Sequence, residues 1–331
     1  MIRVAIVGIG FGQAAHLPAF RMDTRALVHG VCASTPERAR AVAERHGIAV
    51  AYADWRAAIA DEEVHALALA VPPDVQQEIL PAALAAGKHV FCEKPLGVAV
   101  AALEPLPELA RARGLAALVN FWQPELATWR AATAAFASGR LGELKSVEVS
   151  WHVLTRAHAT AEDSWKTNDV HGGGCLHAFG SHLLHNIESL VGPLARVAAR
   201  RLYRGRADTG LHLWGELAGG APLAAALTTD AFGGTGHRIA IYGEAGRLVL
   251  ENPGPDHALG FTLDLGLADG TTERTGGDDR AGRVECTARL VARFLDWASG
   301  GRPARPDLAD GLRAQRLIAA CTASGGGWVV P

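Results

Sequence analysis

The sequence predicts an α/β protein: a doubly wound parallel sheet at the N-terminus, followed by an α+β domain built on a large, open, mostly antiparallel sheet. An apolar run, Ile2 to Gly8, opens directly into Gly8-Ile9-Gly10-Phe11-Gly12 and then a helical stretch. Short apolar runs alternate with helix-like segments through about residue 119, the rhythm of parallel βαβ units. Beyond that point strand-like runs follow one another with few helices between, the pattern of antiparallel pairing.

Taken in order, Gln13 to Arg21 reads as helix despite Pro18, and Ala26 to Cys32 as the second strand. Thr35 is placed to cap a helix that Pro36 opens at its first position and that runs through His46. Val50 to Tyr52 and Val64 to Val71 are the next strands, Pro72-Pro73-Asp74 starts a helix to about Ala86, and His89 to Cys92 is a further strand. In the second half Val147 to Leu154, Ala195 to Leu202, Leu211 to Leu217, Pro222 to Asp230, His237 to Gly243, Arg247 to Glu251 and Gly260 to Leu267 read as strands. Glycine-rich stretches at 205–220, 233–236 and 276–282 read as turns or loops. The change of rhythm divides the chain into domains 1–120 and 121–331.

The 331 residues, 49% hydrophobic and 20% charged, suffice for two buried cores. A formal charge of -2 and the lack of basic runs with interleaved aromatics argue against nucleic-acid binding. Apolar stretches such as Ala66 to Val71 are too short to span a membrane, and the N-terminus enters a strand without a basic leader, so a cytoplasmic protein is expected. Cys32, Cys92, Cys175, Cys286 and Cys321 are scattered with no C-x-x-C pair, which fits reduced thiols better than disulfides or a cysteine zinc site.

A glycine loop between a first strand and a first helix is the phosphate-binding arrangement of the Rossmann fold: the glycines admit a pyrophosphate to the backbone, and the helix N-terminus favours its charge. Domain 1–120 is therefore expected to bind a dinucleotide through Gly8, Gly10, Phe11, Gly12 and Gln13. The third glycine of G-x-G-x-x-G is displaced, since position 13 is glutamine and Gly12 comes one residue early. The second strand ends Val31-Cys32-Ala33-Ser34-Thr35, without the acid that holds a ribose 2′-hydroxyl in NAD-preferring sites. Ser34 and Thr35 are small donors and Arg38 can meet a 2′-phosphate, so NADP is expected over NAD, with NAD also open.

Residues 87 to 97, Gly-Lys-His-Val-Phe-Cys-Glu-Lys-Pro-Leu-Gly, deliver Lys94 from a short strand into a turn restricted by Pro95. Such a lysine can donate a proton or a hydrogen bond to an oxygen; equally, it can be an exposed strand-end charge.

The glycine loop followed by His16-Leu17-Pro18-Ala19, the Val71-Pro72-Pro73 turn, Ala86-Gly87-Lys88-His89-Val90 and Glu93-Lys94-Pro95 together resemble the Gfo/Idh/MocA oxidoreductases, the family of glucose-fructose oxidoreductase and inositol dehydrogenase. The resemblance continues with Ser138-Gly139-x-Leu141-Gly142, with Gly172-Gly173-Gly174-x-Leu176 through Gly180-x-His182, and with a terminal helix from Asp310 to Ser324. It implies reversible hydride transfer between a nicotinamide and a carbinol or carbonyl carbon of a sugar, nucleotide-linked sugar or cyclitol. It also implies a nicotinamide between the domains near Lys94, with Val71, Pro72 and Glu93 among the cofactor residues, and residues 121–331 binding substrate; the broad sheet expected in that domain offers one face for a homodimer or homotetramer. The family's lysine and histidine, here Lys94 and His182, face the reacting hydroxyl, often with an aspartate four residues before the histidine; this chain has Ala178 there.

If Leu176 to Leu190 is helical, Ala178, His182 and His185 share a face at i, i+4 and i+7. His182 is then the expected proton donor or acceptor, and Lys94 the group that polarises the substrate oxygen. His185 is a candidate substrate contact, the alternative being a hydrogen bond within an interface. Trp165, Lys166 and Asn168 can line a polyol pocket, or be a core tryptophan and a surface lysine. His171, His177, His182 and His185 lack a nearby cysteine or clear acidic ligand, so no metal is expected. Asn120-Phe121-Trp122-Gln123-Pro124 falls where relatives often carry an arginine-phenylalanine pair, which suggests a less anionic or differently placed substrate group. Two other functions fit the same residues: a dinucleotide- and sugar-binding regulatory or scaffold protein without turnover, suggested by Ala178, and an enzyme that uses tightly held NAD(P) for transient oxidation.

Overall fold

The computed structural model describes residues 1–161, 163–234, 236–254, 256, 258–276 and 282–331. The chain forms two compact units, 1–122 with 283–313 and 123–282 with 314–331.

In the first unit the described residues form one sheet from β1 (Ile2–Val7), β2 (Ala26–Cys32), β3 (Val50–Tyr52), β4 (Ala66–Leu69), β5 (His89–Cys92) and β6 (Ala117–Val119). The order is β3-β2-β1-β4-β5-β6 and every pairing is parallel. Val4 to Val7 and Ala66 to Leu69 are buried along their whole length, as strands of a parallel sheet covered on both faces must be. The strand order reverses between β1 and β4, and in such sheets the crevice beyond the carboxyl ends at that reversal is where ligands bind.

Thr35 caps the helix Pro36–His46 as expected: its side chain accepts the Arg38 N–H, and Gly47 closes the far end in the left-handed conformation. The helix expected from Gln13 to Arg21 is two pieces, a π turn Gly12–His16 and an α segment Leu17–Arg21, in whose first turn the missing N–H of Pro18 costs no hydrogen bond.

A single break at 120 does not describe residues 283–313. The helix Arg283–Ala298 places Phe294 against Phe20 and Phe91 in an edge-to-face trio, with ring centroids 6.2 and 5.8 Å from it, all three rings fully buried. After it the chain passes β6, where the Val119 N–H donates to the Pro306 carbonyl at 2.9 Å.

The second unit's described sheet comprises β7 (Leu144–His152), β8 (Leu194–Arg204), β9 (Ala207–Leu217), β10 (Pro222–Thr228), β11 (Gly236–Gly243), β12 (Gly246–Asn252), β13 (Thr262–Leu267) and β14 (Thr272–Gly276). The order is β14-β13-β12-β11-β7-β10-β9-β8, antiparallel except for β7 and β10. Val147, Val149, Trp151, Leu211, Leu213, Leu223, Ala225 and Leu227 are buried on one face, while Glu148, His212, Trp214 and Ala224 alternate with them.

Two expectations change here. Most of 205–220 is strand β9, because Gly215 is covered by leucines of the adjacent strands: a Cβ there would lie 2.7 Å from the Leu194 side chain. Strand β14 has no counterpart in the sequence reading, since all five of its residues are exposed and no apolar alternation marks it. Residues 277–281 and Thr235, within the stretches read as loops, lie outside the described residues.

Candidate active site

In the first unit the glycine loop is shaped by close approaches at the carboxyl end of β1. Gly8 has φ +95°, and a Cβ on it would fall 2.2 Å from the Ala70 carbonyl oxygen and 3.0 Å from Val71 Cγ1, so only glycine lets the loop lie against the Val71-Pro72 turn. Gly12 supplies the tight helix-to-strand packing, with Ile6 Cγ2 2.9 Å from the position of an added Cβ. Gly10 has no atom within 4 Å of that position, so its backbone is open to approach from outside. The displaced third glycine thus keeps its packing role one residue early, and the loop fits a dinucleotide pyrophosphate. Phe11 is half-buried with its ring edge-on to His16 at 5.8 Å. The Gln13 side chain is engaged elsewhere, 2.9 Å from His46 Nε2 on the following helix.

Beyond β2, Ser34, Thr35 and Arg38 are exposed together. Arg38 Nη1 donates to Ser34 Oγ at 2.8 Å, which holds the guanidinium at the strand end, while the Thr35 hydroxyl serves as the helix cap.

At the end of β5 the Glu93-Lys94-Pro95 turn is gripped by Gln76, a residue only 1% exposed on the helix Pro73–Ala85. Gln76 Oε1 accepts the Glu93 N–H at 3.0 Å, and its Nε2 donates to the carbonyls of Glu93, Pro95 and Leu96 at 2.6, 3.1 and 3.2 Å. The Lys94–Pro95 peptide is cis. Glu93 Oε1 accepts from Asn120 Nδ2 at 2.7 Å and pairs with His16 Nε2 at 2.9 Å, both partners fully buried. His16 Nδ1 is buried without a hydrogen-bond partner, so the tautomer that carries its proton on Nε2 leaves no donor orphaned. The Glu93 carboxylate is therefore spent on fixing the strand end, and Lys94, half-buried, follows a backbone held on both sides. The preceding Cys92 is no nucleophile: complete burial pushes its thiol well above the ordinary cysteine range, and burial raises Cys32 to about 11.

The second unit carries the histidine segment. Asp208, fully buried, accepts the Leu176 N–H at 3.0 Å and pairs with Arg201 at 3.1 Å; Arg201 also holds Asp169 at 2.7 Å. Gly173 passes beneath the turn 165–168, where a Cβ would lie 2.2 Å from the Trp165 carbonyl oxygen. These contacts start a π turn, Leu176–Gly180, that feeds the helix Ser181–Val191. His182 is buried, Ala178 and His185 are half-buried, and the helix expected from 176 to 190 therefore begins with a wider turn that carries Ala178. His185 Nε2 is 3.4 Å from Ser189 Oγ on its own helix. Burial, with the Arg201 charge, pulls the pKa of His177 below the ordinary histidine value.

Trp165 is half-buried, with the exposed Lys166 ammonium 6.0 Å from its ring centroid, and the Asn168 side chain accepts the Val170 N–H at 3.2 Å. Among the described residues no group of three or more His, Cys, Asp or Glu side chains is arranged to hold a metal, and no helix is long and apolar enough to cross a membrane. Sequence reasoning missed Gln76, Asp208 and Arg201, since a single polar residue in a helix or strand carries no local sign of burial.

Replacing Gln76 with leucine removes the amide donor from three carbonyls at the turn, while the Glu93 N–H keeps the Leu69 carbonyl as acceptor at 3.1 Å. Gln76→Leu is expected to lower unfolding free energy by about 2–4 kcal/mol, read as a lower urea midpoint; an unchanged midpoint would contradict the clamp.

Residues 2–121 match the model of the GFO/IDH/MocA oxidoreductase family, NAD-binding Rossmann fold, and residues 129–249 match its C-terminal domain. The chain is 31% identical to an uncharacterized oxidoreductase of Synechocystis, over 96% of this chain and 92% of that protein. It is 30% identical to dTDP-3,4-didehydro-2,6-dideoxy-alpha-D-glucose 3-reductase of Streptomyces violaceoruber, over 88% of this chain and 86% of the relative. Levoglucosan dehydrogenase in complex with NADH and levoglucosan has the same fold, with a TM-score of 0.86, 24% identity, and 100% of this chain and 99% of that chain covered. Glycine loop, Glu-Lys-Pro turn, second sheet and family match agree: the chain belongs to the GFO/IDH/MocA family of NAD-binding oxidoreductases.

Proposed function

We propose that the protein is an NAD(P)-dependent dehydrogenase or reductase of a sugar, nucleotide sugar or cyclitol, with NADP preferred and with Lys94 and His182 acting on the reacting hydroxyl. The observation that carries this reading is the clamped Glu93-Lys94-Pro95 turn in a sheet whose glycine loop is open at Gly10. Relatives named for levoglucosan and for a dTDP-linked sugar support the substrate class.

Oxidation of a carbinol removes a hydride from carbon and a proton from oxygen, and a bound nicotinamide supplies the hydride acceptor. Lys94, set on a backbone that Gln76 holds rigid, donates to the substrate oxygen and stabilises alkoxide character as the proton leaves. His182 receives that proton, or returns it in the reductive direction. With Ala178 where relatives often place an acid, no carboxylate shares this task at that position, and more of the electrostatic stabilisation falls on Lys94. Trp165, Lys166, Asn168 and His185 are proposed to contact the polyol. Gly8, Gly10, Phe11, Gly12, Gln13, Val71 and Pro72 are proposed to contact the coenzyme, Gln13 through its backbone since its amide is committed to His46.

The Ser34–Arg38 pair supports NADP, because a guanidinium held at the end of β2 gives a 2′-phosphate a charged partner where an acid would repel it. The sheet face that carries Trp214, 49% exposed, with His212, Ala224 and Arg238, supports homo-oligomerisation as a dimer or tetramer, and a cytoplasmic setting fits five free buried thiols.

Lys94→Ala and His182→Ala are each expected to slow hydride transfer by roughly two to four decades, measured as coenzyme absorbance in single turnovers; near-normal rates in both would overturn the assignment. Fluorescence titration is expected to give a lower dissociation constant for NADPH than for NADH, and Arg38→Ala is expected to remove the difference. Equal or reversed affinities in the parent protein would end the NADP reading.

A further inference from the structure

Arg283 is the first residue of the helix that returns to the Rossmann unit, and its guanidinium carbon lies 5.5 Å from the centroid of Phe11 and 5.3 Å from that of Trp122. Phe11 belongs to the glycine loop, between Gly10 and Gly12, so the stack brings a cation to the loop on which the dinucleotide's phosphates are expected. Two aromatic faces fix the position of the group but supply no hydrogen-bond acceptor. Arg283 Nε is buried and has no hydrogen-bond partner among the described residues. A planar guanidinium held beside an open glycine backbone, with a donor unspent, matches phosphate oxygens in charge and in fork geometry.

We infer that Arg283 donates to the pyrophosphate of the bound dinucleotide, with Phe11 and Trp122 as the platform that orients it. The inference rests on the coenzyme reading above and extends it to a residue some 270 positions away in sequence from the loop it serves. It also gives residues 283–313 a reason to accompany the first unit: the helix that fills the apolar space beside Phe20 and Phe91 brings its leading arginine to Phe11. Phe11 then contributes through its ring as well as its backbone, a role the glycine pattern alone does not indicate.

Calorimetric titration of the full chain with NADPH, NADH and ADP-ribose tests this. ADP-ribose keeps the pyrophosphate and lacks the nicotinamide, so it separates a phosphate contact from one made to the nicotinamide. Arg283→Met, which keeps an unbranched side chain between the two rings, is expected to weaken the coenzyme and ADP-ribose alike by about ten- to a hundredfold, as loss of a charge-assisted hydrogen bond does. Arg283→Lys, which retains the charge but not the fork, is expected to recover part of that loss, and it keeps the test valid should the methionine variant fold poorly. Unchanged affinity for ADP-ribose in both variants would overturn the inference, as would a loss confined to NADPH and NADH. Failure of the parent protein to bind any of the three would instead overturn the coenzyme reading, and the inference with it.

Discussion

The carboxamide of Gln76 makes four hydrogen bonds to the backbone of one short turn, and everything proposed for Lys94 depends on them. A lysine side chain has four rotatable bonds and a large conformational entropy, so its value at a reacting centre depends on how well its Cα is placed. Here the strand end is fixed from three directions: by Gln76 through the main chain, and by His16 and Asn120 through the Glu93 carboxylate. Each partner comes from a different element of the first unit, namely the helix after β4, the π turn after β1 and the segment after β6. The turn therefore forms when the sheet itself is assembled, and its geometry is a property of the Rossmann core.

The same core explains what could be read from residues alone. Ile2 to Gly12 announces strand, loop and helix because apolar period, glycine spacing and the start of the helix lie next to one another in the chain. Thr35 and Pro36 mark a helix start for equally local reasons. Residues 283–298 gave no such sign: an amphipathic helix shows that it has an apolar face, but not that Phe20 and Phe91 will cover it. Strand β14 escaped because it is an exposed polar edge whose pairing with β13 is carried by backbone groups. Gly210 and Gly215 made β9 resemble a loop, although neighbouring leucines fill the space their side chains would take.

At the candidate site the pattern is similar. The glycine loop was legible from its own spacing, and Lys94 and His182 are candidates that the family resemblance names, whereas the residues around them that fix the backbone were not legible. Gln76 sits in mid-helix, and Asp208 and Arg201 are separate positions of adjacent strands; only the fold shows that Gln76 and Asp208 are buried and that Asp208 is joined to Arg201. Glu93 illustrates the reverse. Its place in the motif suggested a cofactor contact, while its carboxylate is occupied by His16 and Asn120. Ala178 leaves the histidine segment without an acid at that position, and under the proposed mechanism alkoxide stabilisation then rests on Lys94.

The central claim is that this arrangement moves a hydride between a polyol and a nicotinamide, and the nicotinamide absorbance band reports that directly. With the full chain, NADP or NAD, and a panel of sugars, anhydrosugars and cyclitols, at least one substrate is predicted to give net coenzyme reduction matched mole for mole by oxidised product. Tight coenzyme binding with no change in the band for any substrate, and no product, would contradict the claim and leave a binding protein. Product formed without net change would instead indicate a closed redox cycle on a retained coenzyme.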